Sequence, residues 1–432
     1  MISLTIRRVP AANFLRRLPL AYLIIWVLSP PLAYGTGWRI LAALAMLLWL
    51  AVDTLSPRSV LLRPSLPVLG CVLFVVYTVF IRWLVPDGTT INTQFQLWIL
   101  FFFLLVGESF RRGNEGDARF CFWLILCVLP VWMLATLWGV QSIAGDAART
   151  VVRSSDEARE LMEQGVGGYT LVYGAVLCLP FLTYLAMRWR PAPDGTRAHW
   201  RPRVKRALIW VNFVLAILLV IRAGYTIALV LSALGVLSVL ALGARSLLSL
   251  SLSLFLVGFL ALFANLAFQP ILNYLESAAT GTEYSAKLRD VRTSVAEGEG
   301  TGTVVERTER YAQSLRQFVE NPVVGTLNFY DTGKHSAILD RFAEYGLAFG
   351  LLFMLLLIHV PFRFLRSTRV PVGLAVGFLV VAVAFPFVNN VFMIWGLMLY
   401  VFSRGAFVAM GFPLGQERRQ PSMSHDMRGT WT

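Results

Sequence analysis

The sequence predicts an all-α protein: a polytopic membrane helix bundle of about twelve transmembrane helices with one large helical loop on its outer face. Three observations carry this. The 432 residues are 57% hydrophobic and only 14% charged, with a mean hydropathy of +0.66, where a soluble domain carries about 25% charged residues. Apolar runs of about 20 residues, long enough to cross a hydrocarbon core as a helix, recur along the chain. One long polar stretch, residues 269–345, interrupts them.

Taken in order, the apolar runs place spans at 18–34, 38–55, 64–85, 94–107, 119–140 and 169–188. Six more follow at 207–221, 224–242, 247–268, 346–362, 371–388 and 391–411. The chain divides into a first membrane block (1–268), the large loop (269–345), a second membrane block (346–411) and a short polar tail (412–432). An even number of spans puts both termini on one side. Arg7, Arg8, Arg16 and Arg17 precede the first span and mark that side as cytoplasmic. With this orientation most Lys and Arg fall in cytoplasmic segments, above all Arg188, Arg190, Arg197, Arg201, Arg203, Lys205 and Arg206. The net charge of +14 therefore reads as topogenic and implies no nucleic-acid partner. The first apolar run ends in Ser29-Pro30-Pro31, unlike a cleavage site, so no cleavable leader is expected. Cys71, Cys121, Cys127 and Cys178 all fall inside spans without paired loop spacing, so neither disulfides nor a zinc site is expected. Gly346/Gly350 and Gly373/Gly377 are pairs of small residues four apart, suited to close helix packing.

The residues least suited to a lipid-facing helix carry the functional reading. The outer loop holds Arg289, Arg292, Arg307, Arg310, Arg316, Lys334, Arg341 and His335, the one histidine of four on the outer face. Within it, 283–295 has helical character, Glu297-Gly298-Glu299-Gly300-Thr301-Gly302 is a break, and 307–320 reads as an amphipathic helix. Tyr311, Leu315, Phe318 and Val319 fall on its apolar face, which is expected to lie on the bilayer surface. Asn321-Pro322 ends it. Lys334-His335-Ser336 then opens a helix that runs into the next span. A histidine there can serve as a general base near neutral pH, and its other reading is an ordinary surface histidine. Arg222, in Ile221-Arg222-Ala223-Gly224-Tyr225, sits at the outer boundary between two spans. It reads either as a snorkelling helix end or as an anion ligand held on a very short turn. Arg149, Arg153 and Arg159 in the 141–168 loop are balanced by Asp146, Asp156, Glu157, Glu160 and Glu163, and read as solvated ion pairs.

Asn321-Pro322-Val323-Val324-Gly325, followed by His335-Ser336 and, nine residues on, Gly346, resembles the large-loop signature of the O-antigen ligase/Wzy polymerase superfamily. Arg307 with Tyr311 resembles the arginine-x-x-x-aromatic start of that family's preceding helix, and Arg222-Ala223-Gly224 its mid-chain arginine motif. Phe349 departs from the ligase-type pattern, and Gly165-Val166-Gly167-Gly168-Tyr169 resembles the polymerases.

The resemblance implies a glycosyltransferase of the bacterial inner membrane with its active site on the periplasmic face. The donor would be an undecaprenyl-pyrophosphate-linked glycan and the acceptor a lipid-linked sugar. A chain-length regulator is a further candidate partner. On this reading Arg222 and Arg307, with Arg310 and Arg289 as further candidates, neutralise the pyrophosphate. His335 takes the proton of the attacking hydroxyl. No cofactor or metal is called for, since arginine forks can do the work of Mg²⁺ and the outer face shows no convincing carboxylate cluster. A polymerase is the first reading, a ligase onto lipid A–core the alternative. A lipid or solute transporter is a second alternative, disfavoured by the scarcity of charge at mid-span and the absence of a visible repeat.

Overall fold

The structure, a computed structural model, describes residues 10–32, 35–142, 156–188, 200–223, 225–242, 277, 303–365 and 370–412. All regular structure among them is helical. The helices are α1 (Pro10–Leu28), α2 (Thr36–Thr54), α3 (Leu66–Leu84), α4 (Ile91–Arg111), α5 (Glu115–Ser142) and α6 (Asp156–Glu163). They continue with α7 (Tyr169–Arg188), α8 (Trp200–Ala223), α9 (Thr226–Ala241), α10 (Thr303–Glu320), α11 (Ala337–Leu365), α12 (Val372–Val388) and α13 (Phe392–Ala409).

Among the described residues eight of these helices are long and apolar enough to cross a membrane, and α9 and α12 contribute shorter apolar segments. The chain is therefore a multi-pass membrane protein. The expected span at 247–268 lies outside the described residues. The first expected span is displaced: α1 starts at Pro10 and carries Arg16 and Arg17, and it is not among the eight.

Burial sorts the helices into an inner and an outer set. The apolar windows of α13, α7 and α4 are 89%, 83% and 78% buried, against 22% for α2, 28% for α3 and 33% for α8. Runs such as Leu100-Phe101-Phe102-Phe103-Leu104 are apolar on every side and suit a helix enclosed by others. The outer helices leave Leu47, Leu66 and Trp83 exposed, surface that a bilayer would cover. α12 packs closely on α9 because Gly373 and Gly377 have no side chain: a Cβ there would lie 2.9 Å from the Ser238 carbonyl and 2.8 Å from that of Gly235. Gly346 and Gly350 do not act this way. Gly346 adopts φ +70° and kinks α11.

One end of the bundle is locked by buried charge. Asp117 on α5 pairs with Arg16 and Arg17 of α1. Glu108 on α4 accepts from Arg404 of α13 at 2.6 Å, from Arg111 at 2.9 Å and from Ser65 at 3.2 Å. Arg404 stands inside the last expected span. The two side chains lie 296 residues apart and meet through one terminal nitrogen of Arg404. Glu108→Ala is expected to destabilise the protein by about 3–5 kcal/mol, because it leaves Arg404 buried and unpaired. Thermal unfolding in detergent checks this, and an unchanged midpoint would refute it.

Candidate functional site

The site is built where α10, the start of α11 and the end of α12 meet. Ser314 on α10 is buried. Its hydroxyl donates to Asp340 Oδ1 at 2.7 Å and accepts the Gly333 amide at 2.9 Å. Phe318 sets its ring edge-on against Phe342 of α11, with centroids 5.4 Å apart. Gly333 packs so tightly on α10 that a Cβ would lie 1.9 Å from the Arg310 carbonyl oxygen. The face of α10 that meets the protein is thus Tyr311–Ser314–Phe318. Leu315 and Val319, on the same apolar face, are 53% and 67% exposed. The apolar stripe is split between protein and surroundings, since Ser314 has the buried acceptor that tethers the helix.

The connection from α10 to α11 explains the glycines of the motif. At Gly346 the backbone turns to φ +70° and the helical hydrogen-bond ladder breaks. The Leu347 amide goes to the Pro322 carbonyl at 2.8 Å, and the carbonyls of Ala343 and Glu344 accept the amides of Thr326 and Leu327, each at 2.9 Å. Gly325, at φ +78°, crosses this kink closely: a Cβ would lie 2.5 Å from the Gly346 nitrogen. Only glycine accommodates both the positive φ and the approach. The Asn321–Gly325 segment and the kink are one unit, which fixes the start of α11.

His335 lies in the turn that opens α11. Lys334 adopts φ +60°. Its carbonyl accepts from Asn390 Nδ2 at 2.8 Å and faces His335 Nδ1 at 3.2 Å. Ser336 caps α11 by accepting the Leu339 amide at 3.2 Å. The Ala337 amide donates to the Asn389 carbonyl at 3.1 Å. The Asp340 carboxylate also draws the amides of Lys334 and Ser336. His335 is half-buried between these fixed points.

Arg307 is half-buried on α10, and its guanidinium donates to the Tyr311 hydroxyl. Burial pushes the Tyr311 phenol above its ordinary value, and the Arg307 charge only partly offsets this. Both lie within electrostatic reach of Tyr173 on α7, whose ring packs on Phe385 of α12 at 5.1 Å, one turn before Asn389. Arg307, Tyr311 and Tyr173 thus gather by the end of α12 that meets the His335 turn through the Asn389 carbonyl. Tyr173 is also the centre of a stack with Tyr169 and Tyr225, at 5.7 and 6.1 Å, while Tyr169 and Tyr225 lie 4.5 Å apart. Tyr225 opens α9, three residues after Arg222, which is exposed on the last turn of α8. The stack therefore brings the Arg222 turn to the same end of the bundle as His335.

Of the residues expected to form the site, His335, Arg307 and the Arg222 turn converge on this end. Arg310 is half-buried, with its backbone against Gly333. Arg289 lies outside the described residues. Arg341, counted among the loop cations, is fully buried. It pairs with Glu344, and its guanidinium packs on the rings of Phe329, Tyr345 and Phe392 at 4.8–5.6 Å. It is a structural charge. Asn389, Asn390, Tyr173, Ser314 and Asp340 went unnoticed in the sequence. The polar pair Asn389-Asn390 between apolar runs was the one signal available. Compared with known proteins, the chain matches no family model and no curated sequence.

Proposed function

We propose that the chain is a membrane glycosyltransferase: a polysaccharide polymerase of the O-antigen or exopolysaccharide type. It moves a glycan from undecaprenyl pyrophosphate to a lipid-linked repeat unit on the periplasmic face of the bacterial inner membrane. The observation that carries this reading is the His335 turn, pinned by Asn389, Asn390 and Asp340, with Arg307 held by Tyr311 at the same end of the bundle. A base and a cation are both held by other side chains before any ligand arrives, the preorganisation that transfer chemistry needs.

The acceptor hydroxyl oxygen attacks the anomeric carbon while the bond from that carbon to the phosphate oxygen breaks. The electron pair leaves with undecaprenyl pyrophosphate, and the hydroxyl proton passes to His335. The tautomer that donates from Nδ1 to the Lys334 carbonyl, 3.2 Å away, puts the lone pair on Nε2. Arg307 and Arg222, with Arg310 and Arg289, balance the charge developing on the pyrophosphate without a metal ion. A single displacement inverts the anomeric configuration.

Arg307→Lys keeps the charge but loses the planar fork, and is expected to cut kcat by about 10–100-fold, in line with one lost charge-assisted contact of about 1.5–3 kcal/mol. An initial-rate assay at saturating donor reads it, and a rate equal to wild type would remove Arg307 from the site.

The acceptor is tested by supplying purified protein with undecaprenyl-pyrophosphate-linked repeat units, with and without lipid A–core. A ladder formed without lipid A–core supports the polymerase. Product only in its presence makes the chain a ligase. No product with either acceptor, beside a working control enzyme, removes glycosyl transfer and favours a transporter.

A further inference from the structure

A cavity of about 410 Å³ opens beside the tyrosine stack, between the end of α1, the start of α2, the first turns of α4 and the approach to α7. Its volume falls in the range of small-molecule sites, about 300–1,000 Å³. Trp26, Phe95 and Tyr169 line it with ring surface, and Ser29, Asn92 and Gln96 with polar groups. Trp26 and Phe95 are held as a tilted pair 6.2 Å apart, and the Trp26 indole is fixed by donation to the Leu32 carbonyl at 3.1 Å. The Ser29 hydroxyl is buried without a hydrogen-bond partner among the described residues. Asn92 and Gln96 are half-buried at its wall. A buried hydroxyl without a partner is costly unless a polar group meets it, and the two amides beside it offer donors and acceptors to the same ligand. A hydrocarbon tail would leave them unmet.

A pyranose suits such a lining. It presents one C–H face to an aromatic ring and a rim of hydroxyls to amide and hydroxyl groups. The only charged side chain among the lining residues is Arg39, so a neutral or an acidic sugar is accommodated. Tyr169 is shared: it lines the cavity and stacks on Tyr225 and Tyr173, and Tyr173 packs on Phe385 near the end of α12. Met393, three residues after the Asn390 that holds the His335 turn, also lines the cavity, so the two lie at the same end of the bundle. We infer that the cavity binds a saccharide unit of the acceptor glycan and holds it beside the site of attack. This rests on the glycosyltransferase reading for the word acceptor, while saccharide binding itself stands on the cavity.

The test uses full-length protein in nanodiscs and two probes: the host's lipid-linked repeat unit, and the free oligosaccharide released from it by mild acid. Binding of the free oligosaccharide is read by calorimetry, which needs no turnover. The double variant Asn92→Ala/Gln96→Ala is expected to weaken binding at least tenfold and to raise the acceptor KM by a similar factor, with kcat within twofold of wild type. His335→Ala should bind the oligosaccharide as wild type does. No hydrogen bond of the two amides is seen among the described residues, so the variant is expected to keep its unfolding midpoint. Wild-type affinity in the double variant would overturn the inference, as would failure of the wild type to bind the oligosaccharide. Weakened binding in the variant with no transfer by the wild type would leave the cavity standing and sink the glycosyltransferase reading instead.

Discussion

Replacing His335 with alanine or glutamine is expected to lower transfer by about 10²–10⁴-fold, the usual contribution of a general base, while leaving membrane insertion and the unfolding midpoint unchanged. The separation of effects follows from how the turn is held. The contacts that fix it belong to other residues: Asn390 to the Lys334 carbonyl, Asn389 to the Ala337 amide and Ser336 to the Leu339 amide. The imidazole Nδ1 faces the Lys334 carbonyl, which Asn390 also holds. Glutamine keeps much of the volume and a polar tip but cannot take up a proton near neutral pH. Rates from purified protein, beside its melting curve, check this. Wild-type rates in either variant would remove His335 from the chemistry, and a collapsed melting curve would assign it a structural part.

Gly346→Ala is expected to cost the folded protein itself. The position combines φ +70° with ψ −171°, a region open essentially to glycine alone, where any other residue costs about 1–3 kcal/mol. The added Cβ would also lie 2.2 Å from the Val323 carbonyl oxygen, which is backbone and cannot swing aside. Relieving that contact means undoing the Leu347–Pro322 and Thr326–Ala343 hydrogen bonds, and with them the seat of α10 on α11. The yield of monodisperse protein after solubilisation should fall severely, with any survivor melting well below wild type. A variant that purifies and melts normally would show that the kink is dispensable.

The membrane class and most helices were legible because an apolar run of about 20 residues is a local property, readable without partners. The helix starting at His335 was legible for the same reason, since Ser336 is a good cap and the apolar positions after it keep helical spacing. The interior of the last helix was not. It holds a π turn over Leu397–Phe402, and Arg404 is placed by Glu108, far away in sequence. The docking of α10 was not legible for a similar reason. Hydrophobic spacing marked the apolar face of the helix, but Ser314 decides the docking by meeting Asp340, a polar contact that periodicity does not register. In the site, the charged and titratable residues stood out against apolar surroundings. The tyrosines and asparagines that connect them did not, because their meaning arises only once α7, α10 and α12 share one end of the bundle.

The central claim is that this chain transfers a glycan from a pyrophosphate-linked lipid using groups at its outer face. The most direct measurement is the release of undecaprenyl pyrophosphate by the purified full-length chain, reconstituted in liposomes of known orientation, with lipid-linked repeat units presented to the outer-loop side alone. The account predicts release in step with formation of a new glycosidic bond, lost in His335→Ala. Intact donor after prolonged incubation, with a control enzyme consuming the same substrate, would contradict it.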